Sequence, residues 1–268
     1  MRKTDFDAFT LKMIAIAGMI LQHIAIVLRD VVVSWLHFPL QFAGGFTFPI
    51  MAFFLVEGYK HTSNIKKYVG RMLIFGLISQ IPFIWTFGPQ LNIMFTLLFG
   101  LFTLILYDKM KNRGLFWFIF VIYVILSTVI VNWGLVGPIV ILLYHTIKSE
   151  KARRTVPALV AGGLNFLLLI VIAVVVAIIV IVIDNPEILE KLSGLIGGED
   201  VDPIAGLAAF LFPFGSIAAI PLIRGYNGER GRNMKFLFYA FYPLHLLILA
   251  LIAFALGISE LSLFGFEI

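Results

Sequence analysis

From Val156 to Ile183 the chain runs through 28 residues without one charged side chain. As a helix rising 1.5 Å per residue, such a run is about 42 Å long, more than the ~30 Å of hydrocarbon in a bilayer. It is one of nine apolar runs, at roughly 11–28, 45–59, 69–87, 92–107, 115–131, 134–147, 156–183, 203–223 and 236–256. The runs are continuous rather than alternating, which fits membrane helices and not the strands of an outer-membrane barrel. The second and sixth are short for a full crossing, and the seventh is long enough to tilt. The polar segments between them are too short to hide a soluble domain. Of the 268 residues, 61% are hydrophobic and 13% charged, against about half and about a quarter in soluble proteins. The expected fold is therefore one all-α polytopic membrane helical bundle over residues 1–268.

The charges give this bundle a direction. If the loops alternate from an inside N-terminus, the inside segments hold eighteen of the twenty lysines and arginines, and the outside segments hold only Arg29 and Lys191. This is the positive-inside pattern. It predicts nine crossings, N-terminus in and C-terminus out, of a multi-pass protein of the cytoplasmic membrane. The same placement accounts for the net charge of +5, so the expected partner is the lipid bilayer and not a nucleic acid. The acidic loop DNPEILEKLSGLIGGEDVD falls outside, and its PEILEKLSGLI stretch reads as a short interfacial helix. The first run lacks a small-residue cleavage site and reads as a retained helix. There is no cysteine, which excludes disulfides, thiolate metal sites and a thiol nucleophile.

Gln22 and His23 interrupt the first run, at MILQHIAIVL. An imidazole at that depth is costly to bury unless it is paired. One reading of His23 is a hydrogen bond to a neighbouring helix; the other is a general base or proton shuttle. Lys12 lies eleven residues earlier, close to three full turns, so the two share a helix face about 16 Å apart along the axis. Glu57, in FFLVEGYKHT, ends the second helix three residues before Lys60. It reads either as a carboxylate paired near the interface or as an orienting partner for an imidazole or substrate group. His245, in KFLFYAFYPLHLLIL, follows Pro243, which frees backbone carbonyls that must find partners. Tyr239 and Tyr242 stand close by, and structural and active roles both fit. Asn92 and Thr96, four apart on one face, read as interhelical glue, as does Asn165.

Two inside loops concentrate cations. EGYKHTSNIKKYVGR brings together Lys60, His61, Lys66, Lys67 and Arg71. RGYNGERGRNMK places Arg224, Arg230, Arg232 and Lys235, with Asn227, among three glycines. Glycines let backbone amides turn toward an anion, and the cations supply charge. The loops read either as topology signals alone or as a holder for a phosphorylated cofactor. No metal-ligand spacing, P-loop or G-x-S-x-G is present.

In this order, LKMIAIAGMILQHIAIVL, FTFPIMAFFLVEGYKHTSNIKKYVGRMLIFGLISQIPF, LNIMFTLLFG, LIRGYNGERG and KFLFYAFYPLHLLIL together resemble the TraX family of integral membrane proteins. The resemblance covers most of the chain, and residues from about 156 to 202 do not carry it. The family is named for a pilin acetylase, which moves acetyl from acetyl-CoA to the N-terminal amine of a pilin. It also looks like a relative of the membrane acyltransferases of family 3. Those carry a basic residue, ten intervening positions and a histidine in the first helix, and Lys12 and His23 stand at that spacing. The family usually shows Asp-His where this chain has Gln22-His23. It also tends to have an arginine shortly before the FP of the second helix, where this chain has Gly44 and Gly45.

The resemblance implies acyl transfer. Acetyl-CoA would enter from the inside as acyl donor, its phosphates held by Lys60, His61, Lys67, Arg71, Arg224, Asn227 and Arg230. Its pantetheine arm would follow the face from Lys12 to His23. His23 would act as general base or brief acyl carrier, with Glu57 and His245 as catalytic partners. Asn92, Thr96 and Tyr242 are the candidate donors to the developing oxyanion. The acceptor would be an amine or hydroxyl on a pilin-like N-terminus, a glycan or a small molecule. Two other readings stay open: a proton-coupled transporter using His23, Glu57 and His245, and a non-catalytic assembly or sensor subunit.

Overall fold

The computed structural model describes residues 6–182 and 207–258. Among them are eleven α-helices: α1 (Ala8–Val27), α2 (His37–Gly45), α3 (Thr47–His61), α4 (Ile65–Phe87), α5 (Ile93–Lys109), α6 (Arg113–Ile130), α7 (Val136–Thr146), α8 (Glu150–Arg153), α9 (Val156–Val182), α10 (Phe212–Arg224) and α11 (Lys235–Ala255). The acidic loop, its expected interfacial helix and Lys191 lie outside the described residues.

Each of the nine expected helices has a counterpart. Six apolar segments are long enough to cross a membrane: Ala8–Val27, Ser34–His61, Ile65–Phe87, Arg113–Ile130, Glu150–Ile179 and Phe236–Ala255. Three helices are shorter, α5 with 17 residues, α10 with 13 and α7 with 11. At 1.5 Å per residue α7 rises only about 16 Å, half the hydrocarbon thickness.

The second run differs from its sequence reading. HFPLQFAGG, expected as loop, is helix α2, joined to α3 through Phe46. No side chain caps α2, so packing rather than a local signal holds it. It crosses α10 where Gly45 meets Gly215. A Cβ on Gly45 would lie 2.0 Å from the Phe212 carbonyl oxygen, and one on Gly215 would lie 2.0 Å from that of Phe42. Small residues permit such close backbone approach between membrane helices. The Ser216 hydroxyl adds a bond to the Gly45 carbonyl (2.9 Å).

The helix ends gather at two poles. At one, the Phe6 N–H donates to the Gly225 carbonyl and the Asn227 N–H to that of Phe6. Arg154 reaches the Tyr226 carbonyl there (2.8 Å), and Tyr59 and His145 meet on the Asp108 carboxylate, each at 2.8 Å. This is the basic pole. At the other, Leu91 and Val131 pair through their backbones, and Arg29, Thr86 and Ile258 surround one space. Leu11, Phe53, Leu101, Ile141 and Leu246 are buried between the helices, whereas Phe118, Ile125 and Val129 of α6 and Leu167 and Ile178 of α9 are exposed. Exposed apolar faces of that extent suit contact with lipid.

At the start of α1 the Asp7 carboxylate accepts the Thr10 N–H (2.7 Å), a helix N-cap. That bond holds the Asp7 carboxyl below its usual range. A carboxyl so lowered stabilises the fold above its unfolded pKa, and the contribution is lost as pH falls through the folded value. Asp7→Ala is expected to cost about 1 kcal/mol and to flatten the acid side of a profile of thermal unfolding against pH in detergent. Asp7→Asn keeps the cap and loses the pH dependence.

Candidate active site

The crossing of α1 and α11 brings His23 and His245 together, 222 residues apart in sequence. Their rings lie nearly parallel, centroids 5.1 Å apart at 13°, and meet edge to edge, with His23 Nδ1 2.9 Å from His245 Nε2. One turn back along α11, His245 Nδ1 lies 3.0 Å from the Phe241 carbonyl, a position only an N–H satisfies. The neutral His245 ring therefore carries its proton on Nδ1, its Nε2 is an acceptor, and the His23 Nδ1–H donates to it. His23 is left with an unprotonated Nε2 that no described residue bonds. Phe241 stacks on His245 at 4.9 Å and Phe87 lies 4.7 Å from the His23 ring, holding both imidazoles in place. Each histidine stands out in the sequence; their pairing does not.

His23 lines a chamber of about 150 Å³ with Met19, Phe83, Phe87, Phe241 and Trp133, and its further polar residues are Gln22, Thr47, Asn132 and Tyr242. No lining residue is formally charged. A larger cavity of about 490 Å³ lies on the basic side, with Lys12, Glu57, His61, Arg71, Tyr226 and Arg230 in its wall. Met51, Met94, Leu97 and Phe238 line both, so the two spaces adjoin along the Lys12-to-His23 face of α1. Toward the other pole Ile26 is shared with a third space of about 250 Å³ around Arg29, Asp30, Trp85 and Thr86.

The basic cavity holds three cations without a described carboxylate partner. Lys12 Nζ lies over the rings of Phe54 (5.0 Å) and Phe238 (5.4 Å), and no described carboxylate lies within ion-pair distance of it. Arg71 sits over Tyr68 and Tyr239, with its Nε buried and unpartnered. Arg230 completes the set, and uncompensated cations around one cavity favour a phosphate-like ligand. Burial, and then the nearby Glu57 carboxylate, push the Tyr226 hydroxyl up, so it keeps its proton as a donor. His61 lines the cavity and donates to the Glu57 carbonyl (2.8 Å). The other expected phosphate ligands do not line it. Lys60 sits 3.9 Å from Glu57. Lys67 and Arg224 are exposed, and Asn227 accepts the Glu229 N–H and shapes its own loop.

Glu57 is not the carboxylate partner of His23. It lies in the basic cavity, bonded by Arg153 (2.6 Å). Arg153 is buried and also grips Glu150 (2.7 Å), tying α3 to α8. Removing the guanidinium leaves Glu57 only its distant contact with Lys60, so Arg153→Ala is expected to lower stability by about 2 kcal/mol. Arg153→Lys recovers less than half, because one ammonium does not reproduce a forked guanidinium between two carboxylates. Thermal unfolding in detergent reads both.

Two of the three expected oxyanion donors are committed elsewhere. Asn92 caps α5 through the Met94 N–H and spends its amide on the Gly76 carbonyl and Gln80, both at 2.8 Å; it is interhelical glue. The Thr96 hydroxyl donates to the Asn132 carbonyl. Tyr242 lines the chamber. Asn165 bonds the Ala161 carbonyl of its own helix (2.8 Å), so it does not bridge helices as its type implied. Gln22 packs on α2: its amide lies 3.4 Å from Gln41, and a Cβ on Gly44 would sit 2.4 Å from it. Asn132 and Trp133 escaped sequence reasoning; their only signal is an Asn-Trp-Gly turn between two apolar runs.

The family model described as TraX protein matches residues 8–253. Over 265 residues the chain is 29% identical to the probable fimbrial assembly protein FimC, serogroup H1, of Dichelobacter nodosus, across 92% of this chain and 96% of that protein. No solved structure matches.

Proposed function

The chain belongs to the TraX family, and from that premise we propose that it is a membrane-embedded acyltransferase moving acetyl from acetyl-CoA to an amine or hydroxyl. The acceptor is a pilin-like component of fimbrial assembly, the process for which the Dichelobacter nodosus relative is named. The observation that carries the reading is the His23–His245 pair, which leaves one unprotonated imidazole nitrogen in an uncharged chamber next to a cation-lined cavity. The basic pole faces the cytoplasm, as the positive-inside pattern requires. Lys12, Arg71 and Arg230 hold the donor's phosphates. The donor's arm reaches the chamber between Met51, Met94, Leu97 and Phe238, the side chains that border both spaces. The acceptor comes from the other pole, past Ile26. His23 Nε2 takes the acceptor's proton, and His245 keeps His23 in the required tautomer.

The test is reconstitution with acetyl-CoA and a short peptide bearing a free N-terminal amine, following thiol release. Saturable CoA binding and peptide acetylation are expected. Absence of both overturns the reading. Three neighbouring spaces, with paired histidines at the middle one, also suit a proton-coupled carrier. Proton flux into proteoliposomes without CoA binding would establish that reading instead.

A further inference from the structure

Trp133 is the one non-glycine residue with a positive φ among those described, at 61°, a conformation that strains a bulky side chain. Its surroundings hold it there. The Gly137 N–H donates to the Trp133 carbonyl (2.7 Å) and the Asn132 N–H to that of Leu91 (2.9 Å). The Ser127 hydroxyl donates to the Gly134 carbonyl (2.6 Å), and Thr96 grips the Asn132 carbonyl. The indole stacks on Phe48 at 4.2 Å. Strain retained against this many restraints is typical of functional sites.

The strained turn faces the His23 chamber, which both Asn132 and Trp133 line. The Asn132 carboxamide has no hydrogen-bond partner among the described residues, whereas Asn92 and Asn165 do. The Thr47 hydroxyl is spent on the Ala15 carbonyl (3.0 Å), Thr96 is spent on the turn itself, and Gln22 is turned to Gln41. Asn132, Tyr242 and the Trp133 indole are the neutral donors left in the chamber beside His23, and of these the Asn132 amide is the one carried on the strained turn's own shoulder.

We propose that Asn132 is a catalytic residue: its side-chain N–H donates to the acyl carbonyl oxygen as negative charge develops there, and the strained Trp133 turn holds the amide in position. The proposal rests on the acyl-transfer reading. In the step, the acceptor nitrogen or oxygen bonds to the carbonyl carbon and its proton passes to His23 Nε2. The carbon–sulfur bond breaks, and the thiolate sulfur takes that proton. Asn132 bonds the oxygen and exchanges no proton.

With the reconstituted protein, acetyl-CoA and the amine-bearing peptide, Asn132→Ala is expected to lower kcat 100- to 1,000-fold, with CoA affinity by calorimetry changed less than about twofold. Asn132→Asp keeps the shape and removes the N–H donors, so it falls as far; it carries the test if Asn132→Ala fails to fold. A kcat within threefold of the parent, or a loss of CoA affinity equal to the loss of kcat, overturns the proposal. If the parent transfers acetyl and His23→Ala does not, that failure belongs to Asn132 alone. If the parent transfers nothing, the acyl-transfer reading falls and the proposal falls with it.

Discussion

His23→Ala is expected to lower acetyl transfer to the peptide by about 10²–10⁴-fold, the usual worth of a positioned general base, while CoA affinity stays within about twofold. The two effects separate because His23 lines the uncharged chamber and the cations line its neighbour. His245 gives the sharper test. It does not line the chamber, so its influence passes through the 2.9 Å bond to His23 Nδ1. His245→Phe keeps the ring and removes the acceptor, freeing His23 to carry its proton on either nitrogen; a fall in kcat of roughly 10- to 100-fold is expected, at unchanged KM for acetyl-CoA. His245→Gln offers an amide oxygen in place of Nε2 and recovers part of the loss. If His245→Phe and His245→Gln are equally impaired, packing rather than tautomer control explains the pair. If His23→Ala transfers acetyl as fast as the parent, His23 is not the base.

Lys12→Met is expected to move binding and stability in opposite directions. A charge-assisted bond to phosphate contributes about 1.5–3 kcal/mol, so losing it raises the dissociation constant for CoA about 10- to 100-fold. Yet Lys12 lies over two phenyl rings with no described carboxylate in reach, and an uncompensated charge in such surroundings costs free energy. Methionine fills much the same volume without that cost, so the ligand-free protein is expected to unfold at a higher temperature. Added CoA stabilises the parent by mass action and the variant much less. A variant that binds CoA as the parent does would remove Lys12 from the donor site. A variant less stable than the parent would mean that Lys12 is paired by groups beyond those described.

Much of this was legible in the chain itself. His23, His245 and Lys12 stand out because ionisable groups within or beside apolar runs are rare and need a reason, whereas Arg71 and Arg230 are read only as members of two basic loops. Glu57 stands out for the same reason, but its partner does not: Arg153 is 96 residues away and looks like one more topology-setting cation. Lys60, Lys67 and Arg224 are indistinguishable in sequence from the cations that line the cavity, since loop composition does not tell which way a side chain turns. Helix α2 was missed because its only support is the Gly45–Gly215 crossing, a contact between segments with no local capping signal.

By itself the sequence determined that this chain is a helical membrane bundle, where most helices lie, and which side chains stand at depth. Hydropathy and charge act locally and can be summed along the chain, so no tertiary knowledge is needed for them. Only the tertiary structure decided that the carboxylate-less His23 is served by His245 rather than Glu57. It also decided that Asn92 and Thr96 are spent on the fold while Asn132 faces the chamber, and that the basic cavity and the chamber adjoin. These depend on how helices far apart in sequence cross and rotate against each other, which is set by close packing at small residues and by hydrogen bonds between helices.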